Sequence, residues 1–221
     1  NNDGSGSTPS KTITGNIFST WTCGTSAVTV LQANYGGTSS ISTNTITSIT
    51  GQGAITAISR GSSGTVTTLD INNNTITGIS STGTGGAVTG ISNTHASTTV
   101  NISGNTINTL SSTGAATSVG ITNTAAGTTV NIYSNTINTI SGSSTSTVIN
   151  GLSVSAGAAV NVYKNKIYDL SVGDWVEPKR DDYITITTGY DWKEPSDDEM
   201  KTMNELINQI LPVEDEKEFY L

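Results

Sequence analysis

Cysteine, histidine and aromatic residues are scarce in this chain of 221 residues. The sequence contains one Cys, one His, and only 5% Phe, Trp and Tyr. The single Cys23 excludes a framework of intramolecular disulfides. A hydrophobic content of 33% is also low for a broad globular core. The fold must therefore gain its stability from a regular arrangement of short apolar segments.

Long hydrophobic runs and a basic surface are absent as well. No stretch of 18 or more apolar residues occurs, so we expect no membrane span. The first residues lack the charged and apolar regions of a signal peptide, and we predict a flexible segment over residues 1–11. The net charge of −8 divides into +1 for residues 1–170 and −9 for residues 171–221. Without a basic patch, we expect no nucleic-acid partner.

One tripeptide, Asn-Thr-Ile, recurs along the chain, with Asn-Lys-Ile as its last copy. The copies begin at Asn44, Asn74, Asn105, Asn135 and Asn165, at spacings of 30, 31, 30 and 30 residues. A unit of this length cannot bury its own apolar face, so the units must stack on one another. The spacing therefore predicts a solenoid.

Each unit contains three short runs in which aliphatic and small polar residues alternate, the pattern of a strand with one buried face. Val100 and Ile102, for example, are expected to point inward, and Thr99 and Asn101 outward. Clusters of Gly, Ser and Thr between the runs indicate turns. We therefore predict an all-β fold, a parallel β-helix of about five to six coils over residues 12–172.

The recurring asparagines have a structural explanation. Asn tolerates a bent backbone, and its amide can bond the equivalent Asn in the coils above and below. The sequence predicts such a ladder through Asn44, Asn74, Asn105, Asn135 and Asn165.

The repeats, with their Thr-Thr-Val-Asn-Ile and Asn-Thr-Ile segments, resemble those of right-handed parallel β-helix proteins of bacterial secreted or cell-surface type. The resemblance covers about residues 12–170 and implies an extracellular or cell-surface location. The same architecture hosts polysaccharide lyases, adhesins, ice-binding surfaces and inert stalks, so the resemblance implies no single activity.

Residues 173–221 form an acidic tail of different character. Ser196 and Glu199 fit a capping box, which predicts an amphipathic helix over residues 197–211. Its apolar positions are Met200, Met203, Leu206, Ile207 and Ile210. We predict that this small α-containing segment caps the last coil, and the alternative is that it binds a partner.

The tail also resembles a segment of another family. Ile167 to Leu170, Asp181 to Thr185 and Thr187 to Trp192 look like the segment that precedes the ATPase core of phage and large-DNA-virus primase-helicases of superfamily 3. The phosphate-binding loop of that family is missing from this sequence, so no ATPase role is carried over. The resemblance implies an alternative origin as a fragment or fusion of such a protein, with an intracellular or viral location.

Candidate catalytic groups are isolated in the sequence. Lyase or hydrolase chemistry needs clustered acids and bases, whereas Asp70 stands alone where the neighbouring units have Asn. His95 falls in a segment whose counterpart lacks a titratable group, so we expect a solvent-exposed loop histidine. Cys23 has no dedicated His partner. Metal-binding clusters are missing too. We therefore expect no enzyme activity, no cofactor and no metal.

The outward threonines are the candidate binding face. Stacking places them in two rows, formed by Thr45, Thr47, Thr75, Thr77, Thr106, Asn108, Thr136 and Asn138. The rows resemble the Thr-x-Thr arrays of β-solenoid ice-binding proteins, although outward Thr is also usual in strands. We predict a non-catalytic structural or surface-binding module, scaffold-like or adhesin-like, with glycan, ice or another protein as the candidate partners. The alternatives are an ice-binding protein and the helicase fragment described above.

Overall fold

A computed structural model of the chain describes residues 10–34, 37–61 and 66–167. All of them lie in the first of two compact units, Asn1–Tyr183. The described residues form seventeen β-strands in three parallel sheets, with no helix. The predicted cap over residues 173–221 and its helix, including Met200, Met203, Leu206, Ile207 and Ile210, lie outside the described residues and stay predictions.

Each coil contributes one strand to each sheet, so that every third strand along the chain belongs to the same sheet. Sheet A contains β1 (Lys11–Thr14), β4 (Thr38–Ser42), β7 (Val66–Asn72), β10 (Ser97–Ser103), β13 (Thr129–Tyr133) and β16 (Ala159–Tyr163). Sheet B contains β2 (Ile17–Thr22), β5 (Thr45–Gly51), β8 (Thr75–Ser81), β11 (Thr106–Ser112), β14 (Thr136–Gly142) and β17 (Lys166–Ile167). Sheet C contains β3 (Val28–Ala33), β6 (Ile55–Arg60), β9 (Val88–Asn93), β12 (Ser118–Asn123) and β15 (Ile149–Val154).

The result is a parallel β-solenoid of five complete turns and two strands of a sixth, which confirms the predicted fold class. Equivalent residues of successive repeats are paired, as Ile76 with Ile46 and Ile107 with Ile76. The repeat spacing alone sets this register, because a slip by one residue would turn every buried aliphatic outward.

The core consists of aliphatic columns that run from coil to coil. Val100, Ile102 and Ile107 are fully buried, as predicted, and Thr106 is exposed. Each fully buried Ile, Leu or Val contributes about 1.5–3 kcal/mol relative to its exposed state. The columns therefore hold neighbouring coils together, since no coil has an apolar core of its own.

Sheet B bends in the middle of its five longer strands, β2, β5, β8, β11 and β14, at a position where the residue has a left-handed backbone conformation. This column contains Thr20, Ser48, Gly78, Thr109 and Thr139, with φ between 56° and 67°. Two successive side chains, such as Thr47 and Ser48, point outward there, and Ile49 then returns to the core. The bend interrupts the period-two alternation, so the outer surface of sheet B is divided into two narrow strips.

A Gly substitution in this column is expected to stabilise the fold. The left-handed conformation costs a non-Gly residue about 1–2 kcal/mol, and Gly78 already occupies the column with φ 67°. Because glycine also loses more backbone entropy on folding, we expect Thr109→Gly to add only about 0.5–1 kcal/mol to the free energy of unfolding. Urea denaturation measures this value. Thr106→Gly, on the same strand without the left-handed conformation, is the control and should lose stability; a loss in both variants would contradict the strain argument.

Candidate functional site

The predicted asparagine ladder is present at the corner between sheets A and B, and its four central members are fully buried inside the solenoid. Its members are Asn16, Asn44, Asn74, Asn105, Asn135 and Asn165. The backbone N–H and the Nδ2 of Asn74 both donate to Asn105 Oδ1, each at 2.9 Å. Nδ2 of Asn74 also donates to the Ile41 carbonyl at 2.9 Å. One side chain thus joins three successive coils, which is a structural role.

The predicted Thr rows on sheet B are also in register. Thr45, Thr75, Thr106 and Thr136 pair in succession, and Thr47, Thr77, Asn108 and Asn138 form the second row. All eight side chains are exposed or half-buried. The structure therefore brings together every residue of the predicted binding face.

This sheet B face is narrow and short. It is two residues wide, because the strands bend at the Ser48 column directly after the second row. The first row also changes character at both ends, where Ile17 pairs with Thr45 and Lys166 pairs with Thr136. Threonine thus continues for only four coils in one row and two in the other.

A wider polar surface, which the sequence analysis did not identify as a site, covers sheet A. Here the outward residues keep strict alternation over three positions of each strand, and the five strands β4, β7, β10, β13 and β16 align them in columns. The first column contains Thr38, Thr68, Thr99, Thr129 and Ala159, the second Ser40, Asp70, Asn101, Asn131 and Asn161, and the third Ser42, Asn72, Ser103, Tyr133 and Tyr163. We call this surface the sheet A face.

The middle column of the sheet A face is a second amide ladder, on the outside of the solenoid. Nδ2 of Asn101 donates to Asp70 Oδ1, Nδ2 of Asn131 to Asn101 Oδ1, and Nδ2 of Asn161 to Asn131 Oδ1, each at 2.8 Å. Asp70 is the acceptor at the end of this ladder, a role that an acid can fill where the three following coils have Asn. Because an amide has two N–H donors and two lone pairs, half of the hydrogen-bonding capacity of Asn101 and of Asn131 has no partner in the described part of the chain.

Two tyrosines follow the ladder in the third column. The rings of Tyr133 and Tyr163 stack with 5.0 Å between centroids and 3° between planes. Tyr163 is 46% exposed, whereas Ser103, the residue paired with Tyr133 on the opposite side, is small and buried. The column therefore rises from small side chains to two tall aromatic rings.

The corner between sheets C and A contains a third polar column, and this one is buried. Arg60, Asn93 and Asn123 are paired in succession and are fully buried. Asn93 Nδ2 donates to Asn123 Oδ1 at 2.6 Å. Burial lowers the pKa of Arg60 to about 10, because desolvation penalises the charged guanidinium.

The expectation of a solvent-exposed His95 is wrong. The side chain is only 3% exposed, its backbone N–H donates to Asn93 Oδ1 at 3.1 Å, and Ser97 Oγ lies 3.4 Å from Nδ1. The turn after Asn93 bends into the corner between sheets C and A, so the side chain at position 95 is buried there. Ala125, the equivalent residue in the next coil, is buried as well. The apolar Ala125 at the equivalent position was the signal in the sequence that position 95 is buried.

The remaining reactive groups do not form a constellation in the described residues. Cys23 is half-buried and packs against the edge of the core. Within residues 10–34, 37–61 and 66–167, no three His, Cys, Asp or Glu side chains are grouped as metal ligands would be. The same ranges contain no helix with the length and apolarity needed to span a membrane.

No known protein family matches the sequence, and no curated protein or solved structure matches it significantly.

Proposed function

We propose that the chain is a non-catalytic structural module, a solenoid body that presents polar faces to a surface outside the cell. The observation that carries this proposal is the internal asparagine ladder. Each of its central members binds the coil before and the coil after its own, so the coils act as one continuous unit. A body of this kind maintains a fixed distance and displays repeated groups at intervals of about 4.8 Å.

Mechanical unfolding tests the proposal. Cysteines introduced by Ser10→Cys and Lys166→Cys, both at exposed positions, allow the full chain to be pulled along the solenoid in a Cys23→Ser background. We expect unfolding in discrete steps at substantial force, since each coil must break the bonds of three sheets and the ladder. Gradual extension at low force, without steps, would contradict the proposal of a structural module whose coils are held together by the ladder.

A matched variant with one coil fewer makes this test quantitative. Deletion of residues 105–134 joins Gly104 to Asn135, so one ladder position replaces another and all three sheets keep their register. Coils stabilise mainly their neighbours, so we expect the variant to fold. The increase in its end-to-end length on complete unfolding should be smaller by about 100 Å, because the thirty deleted residues would extend by roughly 3.3–3.6 Å each. A variant that does not fold would show that the coils are not interchangeable units.

Ice binding is the second candidate, favoured by the register of the Thr rows on sheet B. Hydroxyl and methyl groups at a repeat set by the backbone form a regular surface that can order water. We expect thermal hysteresis in the full chain, and its loss in a double variant with Thr75→Leu and Thr106→Leu. The control is Thr68→Leu with Thr99→Leu, equivalent changes on the sheet A face. No hysteresis at millimolar protein concentration excludes this function.

A further inference from the structure

We propose that the sheet A face binds an uncharged polysaccharide, with the Tyr133–Tyr163 pair as its aromatic subsite. The inference deepens the surface-binding part of the proposed function and rests on it. The surface is outward-facing, three columns wide, and long enough to follow five successive coils.

The hydrogen-bonding groups of the face match a polyhydroxylated chain. In the outer ladder, Asn101 and Asn131 each use one N–H as donor and the side-chain oxygen once as acceptor. The other N–H and lone pair of each amide point to no partner in the described residues. Sugar hydroxyls both donate and accept, so each amide can hold one hydroxyl pair. The interval between coils, about 4.8 Å, is close to the length of one sugar ring in an extended chain.

The aromatic pair supplies the apolar contact that a sugar ring needs. Tyr133 and Tyr163 are already stacked, so their side-chain conformations are fixed before a ligand arrives and little entropy is lost on binding. On the other side of Tyr133 lies the small Ser103, which leaves a step beside the ring. The C–H face of a sugar can pack there while its hydroxyls reach the amides of Asn101 and Asn131. An aromatic ring with one apolar face and a polar edge suits such a ligand.

The low charge of the sheet A face determines which class of polymer it can bind. Asp70 is the sole charged side chain in the three columns of the sheet A face, and it already accepts from Asn101. Nucleic acid needs cations along its phosphates, even where aromatic rings stack on its bases. An anionic polysaccharide needs them as well. A surface with one acid and no base therefore complements an uncharged glycan.

Titration of the full 221-residue chain with defined oligomers tests the inference. The neutral probes are cellohexaose, xylohexaose and mannohexaose, and the charged probes are hexagalacturonate and an oligodeoxythymidylate of eight nucleotides. We expect one or more neutral hexasaccharides to bind, and the charged probes to bind at least about tenfold more weakly, because they find no cation on the face.

Variants on the two faces locate the site. We expect Tyr133→Ala to weaken binding about tenfold because it removes the ring against which the sugar packs, and Tyr133→Phe to retain most of it because the ring stays. Thr50→Ala, at an exposed position of sheet B outside both Thr rows, should leave binding unchanged. Circular dichroism melts verify that each variant is folded, and Asn131→Ala provides a second test away from the aromatic pair. Absence of binding to every neutral probe at millimolar concentration, equal binding by the thymidylate, or binding insensitive to both Tyr133→Ala and Asn131→Ala overturns the inference. Such a result would leave the mechanical tests of the structural module unaffected.

Discussion

We expect Asn105→Ala to lower the free energy of unfolding by about 3–5 kcal/mol, because it removes the central member of the internal ladder. Asn105 is fully buried. Its Oδ1 accepts from the backbone N–H and the Nδ2 of Asn74, both at 2.9 Å. Its Nδ2 donates to Asn135 Oδ1 at 2.9 Å and to the Ile71 carbonyl at 2.8 Å. Alanine would leave all of these groups without their partner in a region that water does not reach.

The size of this effect follows from the cost of each orphaned group. A buried polar group that loses its partner costs about 1–3 kcal/mol, and a hydrogen bond exchanged with water costs much less. Asn16 provides the comparison, since it is exposed and lies at the end of the ladder, where it donates to Asn44 but accepts from no described residue. We therefore expect Asn16→Ala to cost only about 1 kcal/mol.

Urea denaturation followed by far-UV circular dichroism measures both losses. Asn105→Asp separates volume from hydrogen bonding, because it has the same shape but cannot donate to Asn135 Oδ1 or the Ile71 carbonyl. At neutral pH it should be at least as destabilising as Asn105→Ala, since it also buries a charge. Equal, small losses for Asn105→Ala and Asn16→Ala would show that the ladder contributes little to stability.

The repeat spacing determined most of the fold from the sequence alone. A period of 30 or 31 residues places Ile46, Ile76 and Ile107 in one column, and only parallel stacking of coils satisfies that alignment. The internal ladder followed in the same way, because its asparagines recur at one fixed place in every repeat. The fold could be predicted because the strand alternation, the turn residues and the spacing of the asparagines all indicated the same structure.

The sheet A face and the bend of sheet B were missed for a different reason. Ser48, Gly78 and Thr109 share a left-handed conformation, but Ser, Gly and Thr occur throughout the chain, so nothing in the sequence distinguishes the bend. The same bend limits the predicted binding face, the Thr rows of sheet B, to two positions of each strand. Asp70 was interpreted as an isolated acid, because the hydrogen bond from Asn101 depends on a coil-to-coil pairing that only the register reveals.

The buried corner was missed because its residues break the repeat. Arg60 occupies the position of Asn93 and Asn123, and a lone arginine in a hydroxyl-rich coil is typical of a solvent-exposed site. In the structure its Nη1 donates to three backbone carbonyls, those of Ala33 at 3.0 Å, Gly61 at 2.9 Å, and Asn34. At the corner between sheets C and A, Arg60 thus takes the place that Asn93 and Asn123 occupy in the following coils, and its guanidinium satisfies the backbone carbonyls there.

We expect Arg60→Met to lower the free energy of unfolding by about 2–4 kcal/mol at pH 7. Methionine keeps much of the apolar stem, but the carbonyls of Asn34 and Gly61 lose a charged donor, and such bonds contribute about 1.5–3 kcal/mol each. The variant also avoids burying a guanidinium, which offsets part of this loss. Chemical denaturation measures the difference, and Lys166→Met, at an exposed position, is the control that should change stability by less than about 0.5 kcal/mol.

The pH dependence of the stability difference between the natural chain and Arg60→Met separates two contributions of Arg60, its hydrogen bonds and the cost of burying its charge. The pKa of Arg60 is lowered by burial to about 10 in the folded chain, so above about pH 10 the unfolded chain, whose arginine keeps its ordinary higher pKa, binds more protons. A group whose pKa falls on folding makes the folded state more stable as pH rises through that window, and below pH 10 its desolvation cost is fully present. The advantage of the natural chain over Arg60→Met should therefore grow between pH 9 and pH 11, because every other titratable group is common to both chains and its contribution cancels. A difference that stays constant, or shrinks, would show that the buried arginine carries no such cost and that its hydrogen bonds alone set its contribution.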